Sequence, residues 1–438
     1  MKSLKELFRI GYGPSSSHTM GPRSAASQYL AKHPDAERFR VSLYGSLAST
    51  GKGHLTDAAI IEVLGKDRTE VVWHPDIVLS FHPNGMKFEA IMPDGQSIDP
   101  WTVFSVGGGA LAEEGETASD TPDVYELDHL TDIMNWCEER GMHYWNYVDI
   151  CEGPEIWEYL DEVWSVMKAS VERGLETEGV LPGGLNLQRK APRYYIKALG
   201  YGSNLQSRGL VFSYALAVSE ENASGGRIVT APTCGSCGVV PGVLFHIAKS
   251  RNVPRTRTLH ALATAGLVGN VAKTLASISG AEAGCQAEVG VACAMAAAAA
   301  NYSFGGGVRA TEYAAEMGLE HHLGMTCDPI CGLVQIPCIE RNAHAAGRAL
   351  DANIYATFAE GSHRIPYDKA VTVMGKTGRD LPSLYRETSE GGLAMLVKDR
   401  SCRTHKTPLT ITKEPERHPP VADNLLGRCR WYIQETYL

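Results

Sequence analysis

The chain has 438 residues, of which 41 are Lys or Arg and 50 are Asp or Glu, giving a formal charge of −9. This length allows two or three domains and a large hydrophobic core. The acidic balance argues against a nucleic-acid-binding protein and fits an enzyme that acts on small molecules.

Neither a signal peptide nor a membrane span is expected. The first residues, MKSLKELFRIGYG, lack an apolar stretch followed by a small-residue cleavage site. Polar residues such as Asn270, Lys273 and Glu282 interrupt the apolar runs between residues 261 and 300 before they reach transmembrane length. Eleven cysteines without an export signal indicate a reducing compartment, and metal or catalytic use of the thiols rather than disulfides. We therefore expect a cytoplasmic protein with neither membrane nor nucleic-acid partners.

A serine-rich loop comes first in chain order. Glycines and a proline in GYGPSSSHTMGP predict a loop, and Pro22 predicts the start of the helix that follows. Polar side chains crowd this loop just before the helix: Ser15, Ser16, Ser17, His18 and Thr19. Such a position binds carboxylates or phosphates well. A solvated capping turn would have the same composition.

Strands and short helices follow up to residue 120. FRVSLYGSLAS, residues 39–49, alternates as a strand does, and TGKGHLTDAAIIEVLG predicts a turn and then a helix with Asp57 in its first turn. VVWHPDIVLSF and MKFEAIMPD are typical of further strands, with HPNG as a hairpin-like turn between them. Strands mixed with two helices predict an α+β domain over residues 1–120.

The rest of the chain is predicted to be mostly helical. Residues 121–185 are acidic and predict a helical connecting segment, with helical patterns in LDHLTDIMNWCEERG and IWEYLDEVWSVMKASVERGL. Over residues 186–438, small residues dominate helical runs such as TLHALATAGLVGNVAKTLAS, and small residues let helices pack closely. The predicted fold class is an α+β N-terminal domain followed by a mostly α-helical domain that would carry the catalytic site.

Three cysteines in the helical part are candidate metal ligands. Cys285 lies just before an alanine-rich run, residues 289–300, that predicts a buried helix, and Cys338 follows the start signal Pro337. A helix N-terminus stabilises a thiolate through its free N–H groups and dipole. With Cys327 in a loop between them, three thiolates can converge on one metal centre that keeps an open position. Buried structural thiols would explain the same residues.

Two neighbouring cysteines are weaker candidates. Cys331 lies four residues after Cys327 in CDPIC and is the rival ligand by proximity. Cys293 lies inside the predicted alanine-rich helix and is expected in the core.

The motifs together resemble the iron–sulfur-dependent L-serine dehydratases over nearly the whole chain. GPSSSHTMGP, YGSLASTGKGHLTD, HPNGM and SVGGG are similar to the β domain of that family. LPGGLN, ENASGGRIVTAPT, SISGAEAGCQAEVG, LGMTCDPICGLVQIPCIERNA, TGRDL and YRETSEGGLA are similar to its catalytic α domain. The resemblance implies a [4Fe–4S] cluster held by Cys285, Cys327 and Cys338, a homodimer, and conversion of L-serine to pyruvate and ammonia.

Two departures from the family pattern stand out. Here TAPT continues as CGSCGVVP, where the family usually has NGAAG, so Cys234 and Cys237 form a C-x-x-C pair. Such a pair is a redox or metal motif in some proteins, but we favour two small buried loop residues. Some family members place a C-terminal cysteine on the open iron, and Cys402 and Cys429 are the residues here that can take that role.

The implied reaction requires a base near Cα and donors for the carboxylate and amine, beside an iron that binds the hydroxyl. His18 and His54 are the best bases because imidazole titrates near neutral pH, and Ser17 is a third catalytic candidate. The candidate substrate-binding residues are Ser15, Ser16, Thr19, Asn84, Thr230, Thr233, Asn270 and His363. The histidines ranked lower are His74, His82, His321, His322 and His344. Each histidine has an equally simple structural explanation as a hydrogen-bonded residue, and the site is expected where the serine loop meets the cysteines.

Three other functions stay open at this point. A threonine or other β-hydroxy amino acid dehydratase is one, because a methyl group changes binding by only about 1–3 kcal/mol. A pyridoxal-phosphate dehydratase would use Lys52 and the glycine-rich residues 106–109, but would leave the three cysteines without a role. A non-catalytic iron–sulfur sensor would need an output surface, and nothing here is basic enough for nucleic acid.

Overall fold

The computed structural model describes residues 1–115, 122–359, 361–387 and 391–397. Seven strands lie in these ranges: β1 Ile10–Tyr12, β2 Arg38–Tyr44, β3 Thr69–His74, β4 Gly85–Ile91, β5 Ser97–Ser105, β6 Leu111–Ala112 and β7 Arg227–Val229. The α-helices of the N-terminal part are α1 Gly21–Lys32, α2 Gly45–Thr50 and α3 Thr56–Leu64. Those that follow are α4 Leu130–Arg140, α5 Tyr144–Glu152, α6 Glu155–Glu176, α7 Ala191–Leu199, α8 Ser203–Ala223, α9 Val239–Arg251, α10 Arg255–Leu275, α11 Gly280–Ala283, α12 Val291–Ser303, α13 Val308–Glu320, α14 Cys338–Phe358 and α15 Tyr367–Asp380.

A five-stranded sheet organises the N-terminal part, in the order β3-β2-β4-β5-β6. β2 runs parallel to β3 and antiparallel to β4. Alternate residues of β2 (Phe39, Val41 and Leu43) pack into one buried cluster with Phe88 of β4 and Tyr29 of α1. Pro22 lies in the first turn of α1 and Asp57 in that of α3, as predicted. The predicted fold class is confirmed, since the remaining described elements are nearly all helices.

Two local predictions were wrong. The strand predicted over residues 39–49 ends at Tyr44, because Gly45 takes a left-handed backbone (φ 52°) and the chain continues as α2. A Cβ at Gly45 would lie 2.6 Å from the carbonyl oxygen of Pro83, so the turn needs glycine there. HPNG does not join a hairpin, because β2 lies between β3 and β4 in the sheet.

The alanine-rich helix α12 lies at the centre of the helical part. Every residue from Val291 to Tyr302 is buried, as predicted, and α9, α10, α13 and α14 surround the helix. Small residues permit this close packing, since a Cβ at Gly318 of α13 would lie only 2.9 Å from the Cα of Ala294.

Side chains of α4, α5 and α6 join the same hydrophobic core as α10 and α12. The proposed domain boundary at residue 120 lies outside the described residues, and the boundaries stay predictions. No helix of the described ranges combines the length and the apolar character that a membrane crossing requires.

A two-stranded ribbon positions the site. β1 pairs antiparallel with β7, with Tyr12 opposite Arg227, so that the serine loop after β1 lies beside the segment that joins α8 to β7. The amide of Asn222 donates to the carbonyl oxygen of Pro14 at 2.9 Å and ties the start of the serine loop to the end of α8. This ribbon brings residues more than two hundred positions apart into one site.

Candidate active site

A small cavity lies where the serine loop meets the cysteine-bearing segments, as predicted. From the N-terminal part, its lining residues are Pro14, Ser15, Ser16, Ser17, His54, Gly107 and Gly108. From the helical part, they are Thr233, Gly235, Ser279, Gly280, Glu288, Cys327, Pro329, Val334, Cys338 and Glu387. Both parts of the fold therefore contribute polar groups to one enclosure.

Two of the three candidate cysteines occupy helix starts. Cys338 is the first residue of α14 after Pro337, and Cys285 caps a π-helical turn, Gln286–Gly290, that runs directly into α12. Cys327 lies in a loop, held by a hydrogen bond from its backbone N–H to the carbonyl oxygen of Tyr385 (2.8 Å). The three thiols are almost completely buried. The predicted local positions are confirmed; metal binding itself stays a prediction.

The three thiols converge. The sulfurs of Cys285 and Cys327 and a carboxylate oxygen of Glu288 all lie within 4.8 Å of one another. A hydrogen bond with Cys285, together with burial, raises the pKa of the Cys327 thiol. Burial and the nearby Cys285 raise the pKa of Cys338, which shares the cavity wall with Cys327. Sulfur donors gathered this closely are the chemistry that iron–sulfur clusters and zinc prefer.

Arg341 braces the cysteine segments. Its guanidinium donates to the carbonyl oxygen of Thr326 (2.6 Å) and to Asp328 Oδ1 (3.1 Å), on either side of Cys327. Burial alone would lower the pKa of Arg341, but the electrostatic interaction and the hydrogen bond with Cys285 outweigh it and raise the pKa. Sequence reasoning missed this residue, although it lies one helical turn after Cys338.

Two acidic residues at the cavity were also missed. Glu288 lies one turn after Cys285, and the Thr233 hydroxyl donates to its Oε1 at 2.6 Å. Glu387 is held by a hydrogen bond from its N–H to the carbonyl oxygen of Cys327 (2.9 Å). Burial and then the neighbouring Glu288 raise the pKa of Glu387 to about 8. The position of Glu288 one helical turn after Cys285 could have predicted it as a site residue. No local sequence pattern points to Glu387.

His54 lines the enclosure and has one ring nitrogen without a hydrogen-bond partner. Its Nδ1 lies 3.2 Å from the carbonyl oxygen of Thr50, which only accepts, so Nδ1 carries the proton. Its Nε2 is then a lone-pair acceptor, buried and without a hydrogen-bond partner. Burial lowers the pKa of His54 to about 4, so the imidazole is neutral at physiological pH. A neutral imidazole with an open Nε2 is equipped to accept a proton.

His18 lies behind the cavity wall. Its Nδ1 is 2.8 Å from the Ser17 hydroxyl, and its Nε2 is 3.1 Å from the Ser46 hydroxyl. The rings of His18 and His54 have centroids 4.5 Å apart. Burial, followed by the neighbouring His54, lowers the pKa of His18. His18 therefore positions Ser17, while His54 faces the cavity itself.

Internal hydrogen bonds hold the serine loop. The Ser15 hydroxyl accepts from the N–H of His18 (3.1 Å) and caps the π-helical turn Ser16–Met20 that continues into α1. The Thr19 hydroxyl donates to the carbonyl oxygen of His54 (2.6 Å), so Thr19 supports the loop and is not among the lining residues.

Besides Thr19, four predicted substrate-binding residues are not among the described residues that line the cavity. The Thr230 hydroxyl donates to the carbonyl oxygen of Leu7 (2.7 Å), and the Asn270 amide donates to that of Lys2 (2.7 Å). Both anchor the N-terminal segment to the helical part.

The other two are Asn84 and His363. The Asn84 amide donates to the carbonyl oxygen of Ser105 (3.2 Å), next to the sheet. His363 Nε2 lies 2.8 Å from Glu312, and the ring stacks on Tyr313 at 4.2 Å. The lower-ranked histidines are likewise absent from the described lining residues: His74, His82, His321, His322 and His344.

Cys234 and Cys237 lie behind Thr233 in a short helical turn. Both are buried, and burial raises the pKa of both thiols. Cys234 Sγ lies 3.8 Å from the sulfur of Met20. Their surroundings are those of core residues.

Neither Cys293 nor Cys331 is among the described residues that line the cavity. Cys293 is completely buried in α12, as predicted, with its sulfur 3.4 Å from the carbonyl oxygen of Ala345. Cys331 has left-handed backbone (φ 58°) and is disulfide-bonded, so the expectation that the cysteines do not form disulfides was wrong for this residue. Cys402 and Cys429 lie outside the described residues, so the proposed capping role stays a prediction.

Thiols and carboxyl groups gathered with a neutral histidine and a serine loop around one cavity are typical of an enzyme active site with a metal centre. The family model of the serine dehydratase alpha chain matches residues 101–394, and that of the beta chain matches residues 3–69 and 62–116. The chain belongs to the serine dehydratase family, with both family chains in one polypeptide.

Characterised relatives cover nearly all of the chain. L-serine dehydratase 1 of Escherichia coli K12 is 40% identical over 455 residues, covering 91% of this chain and 100% of its own. L-serine dehydratase of Mycobacterium tuberculosis is 40% identical over 457 residues, covering 90% and 98%. L-serine dehydratase of Helicobacter pylori J99 is 33% identical over 456 residues, covering 90% and 99%.

Proposed function

We propose that this protein is an L-serine dehydratase that converts L-serine to pyruvate and ammonia with the help of a [4Fe–4S] cluster. The observation that carries the proposal is the grouping of the Cys285, Cys327 and Cys338 thiols beside a cavity that is also lined by His54, whose buried Nε2 has no hydrogen-bond partner. The family membership and the names of the relatives support the same reaction.

The donor set fits the cluster. Cys285, Cys327 and Cys338 would each hold one iron and leave the fourth for substrate. Arg341 lies among the three cysteine segments and supplies positive charge against the thiolates. The bound cluster supplies a Lewis acid for the β-hydroxyl of the substrate.

His54 is the proposed general base for the Cα proton. Its Nδ1–H is fixed by the carbonyl oxygen of Thr50, so the proton is received at Nε2. His18 holds the Ser17 hydroxyl toward the cavity through Nδ1.

The serine loop is the proposed carboxylate site. Ser16 and Ser17 line the cavity at the start of helical backbone that runs through the turn into α1. A helix N-terminus offers free N–H groups to an anion, and two hydroxyls add further donors.

The structure offers no support for a pyridoxal-phosphate enzyme. Lys52 is exposed, with its ammonium 5.4 Å from the ring centre of Trp73, and no lysine is among the described lining residues. A Schiff-base lysine would have to reach the cavity.

The proposal is tested by anaerobic reconstitution with iron and sulfide, followed by a 2-oxo-acid assay over L-serine, L-threonine and L-cysteine. We expect cluster absorbance together with pyruvate release from L-serine. Activity that survives iron chelation but is lost to borohydride would instead indicate pyridoxal phosphate. A full cluster without ammonia release from any of these amino acids would favour a sensor.

We also expect a cytoplasmic homodimer, as the family resemblance implies. Light scattering on the purified protein measures the assembly directly.

A further inference from the structure

We propose that Glu288 binds the α-ammonium group of the substrate, so that the site selects amino acids over hydroxy acids of similar shape. This inference rests on the proposed function. It assigns a specificity-determining residue that the sequence motifs did not suggest.

The Glu288 carboxylate is held at the cavity wall. Thr233 donates to Oε1 at 2.6 Å, and Oε2 lies 4.0 Å from the sulfur of Cys327. The side chain is partly accessible while the surrounding segment is buried. One oxygen is therefore oriented by the protein, and the other is placed beside the candidate iron ligand.

Two glycines leave room for this carboxylate. A Cβ at Gly280 would lie 2.5 Å from Glu288 Oε2, and a Cβ at Gly235 would lie 2.9 Å from Oε1. Any side chain at either position would displace the carboxylate, so the surroundings are shaped around an acidic group.

No basic side chain competes for a cation at the cavity wall. Glu387 lines the same cavity as Glu288, and no Lys or Arg is among the described lining residues. The nearby guanidinium of Arg341 is engaged with Thr326 and Asp328. An ammonium group entering beside Glu288 thus meets the acceptor oxygens of two carboxyl groups and no lysine or arginine among the described lining residues.

The opposite wall supplies an independent reason to expect a ligand here. His54 lines the same cavity, and its Nε2 is buried without a hydrogen-bond partner. In an α-amino acid the ammonium group and the Cα proton are on the same carbon. Binding of the ammonium by Glu288 would therefore help to direct the Cα–H bond toward His54.

A metal-ligand role for Glu288 is the competing explanation, because its oxygen lies within 4.8 Å of the sulfurs of Cys285 and Cys327. The two roles differ in what the Glu288→Gln variant loses. A ligand role predicts loss of iron, whereas an ammonium-binding role predicts a full cluster and a loss confined to amine-bearing compounds.

The experiment compares L-serine with 3-hydroxypropanoate, which has the carboxylate and β-hydroxyl but no amine. In cluster-loaded Glu288→Gln, we expect kcat/KM for L-serine to fall about 10- to 100-fold, the effect of losing a charged hydrogen bond. The inhibition constant of 3-hydroxypropanoate should change less than about 3-fold, and iron and sulfide per chain should be unchanged. Glu282→Gln, an exposed acidic residue of the same segment, is the matched control.

Equal losses for both compounds, or loss of iron from Glu288→Gln with the fold intact, would overturn the proposal. If that variant does not fold, Thr233→Val removes only the hydroxyl that orients the carboxylate. This variant should lower kcat/KM for L-serine by about 3- to 10-fold, and it should leave the inhibition constant of 3-hydroxypropanoate and the cluster unchanged. An unchanged kcat/KM, or a parallel loss of affinity for 3-hydroxypropanoate, would refute the role of Glu288.

Failure of the proposed function would be visible separately, as absence of pyruvate from the unsubstituted, cluster-loaded protein. In that case, amine recognition can still be measured by comparing the binding of L-alanine with that of propanoate, which lacks the amine. Changes in cluster absorbance follow the binding of each compound. Preference for L-alanine that disappears in Glu288→Gln supports the proposal, and equal binding of both compounds by the unsubstituted protein contradicts it.

Discussion

The two walls of the cavity differ in charge and in how they are held. The cysteine wall comprises Cys327, Cys338, Glu288 and Glu387, with Cys285 behind it. The serine–histidine wall comprises Ser15, Ser16, Ser17 and His54. The cysteine wall gathers groups that become negative when ionised, next to the half-buried guanidinium of Arg341. The serine–histidine wall is neutral and is hydrogen-bonded within itself.

This difference separates two chemical tasks. A metal centre needs anionic donors, while a proton acceptor that works near neutral pH needs an uncharged lone pair. The two sets come from different parts of the fold, the serine–histidine set from the N-terminal part and the cysteine set from the helical part. The predictions below test that separation.

The largest effect is expected from the cysteine wall. Replacing Cys285, Cys327 or Cys338 by Ser should abolish cluster absorbance and turnover together, because a hydroxyl is a poor substitute for an iron-binding thiolate. Absorbance and iron content of the reconstituted variants measure this. Cys293→Ser and Cys331→Ser are the controls; a full cluster and normal turnover in Cys327→Ser, or cluster loss in Cys331→Ser, would refute the ligand assignment.

The serine–histidine wall should affect turnover without affecting the cluster. His54→Gln removes the proton acceptor, so kcat should fall about 10²- to 10⁴-fold while cluster absorbance stays unchanged. His322→Gln is a matched control, because His322 is also buried, also has its Nδ1 against a backbone carbonyl oxygen (2.7 Å), and also has its pKa lowered to about 4 by burial. Near-normal kcat in His54→Gln would assign the base elsewhere.

Arg341 should determine how long the cluster survives. Arg341→Met removes the charged hydrogen bonds that hold both sides of Cys327, so bleaching of the cluster in air should be about 10-fold faster. Arg348→Met, an exposed arginine on the same helix, is the control. Equal bleaching rates in both variants would show that the brace has no effect on the cluster.

The smallest effect concerns neutral histidines away from both walls. Burial lowers the pKa of His246 to about 4, and its Nε2 lies 3.0 Å from the Ser207 hydroxyl. Below pH 6.5 the unfolded chain binds a proton that the folded chain accepts only near pH 4. The free energy of unfolding therefore decreases as pH falls through this window, by about 1 kcal/mol per pH unit for each such histidine.

Urea unfolding at pH 6 and pH 5 measures this dependence. His246→Gln should reduce the change in unfolding free energy between the two pH values. An unchanged dependence would mean that His246 takes up its proton in the folded state as readily as in the unfolded chain.

The sequence by itself determined the local framework and the family. Pro22, Pro337 and the alanine-rich run over residues 289–300 predicted helices that the structure contains. These signals act within a few residues, through fixed backbone angles and side-chain volume, so they need no knowledge of the fold. The serine loop and the cysteine motifs indicated the same family that the comparisons established.

Only the tertiary structure decided which polar groups meet. Thr230 and Asn270 were reasonable donors by motif, yet their hydrogen bonds anchor the N-terminal segment, while Glu288 and Glu387 reach the cavity. The strand order around β2 and the β1–β7 pairing set these outcomes. Both features depend on packing between residues that are far apart in the chain, and local sequence patterns carry little information on such contacts. A polar side chain can either anchor a distant segment through a hydrogen bond or line the cavity, and its local sequence does not distinguish the two roles.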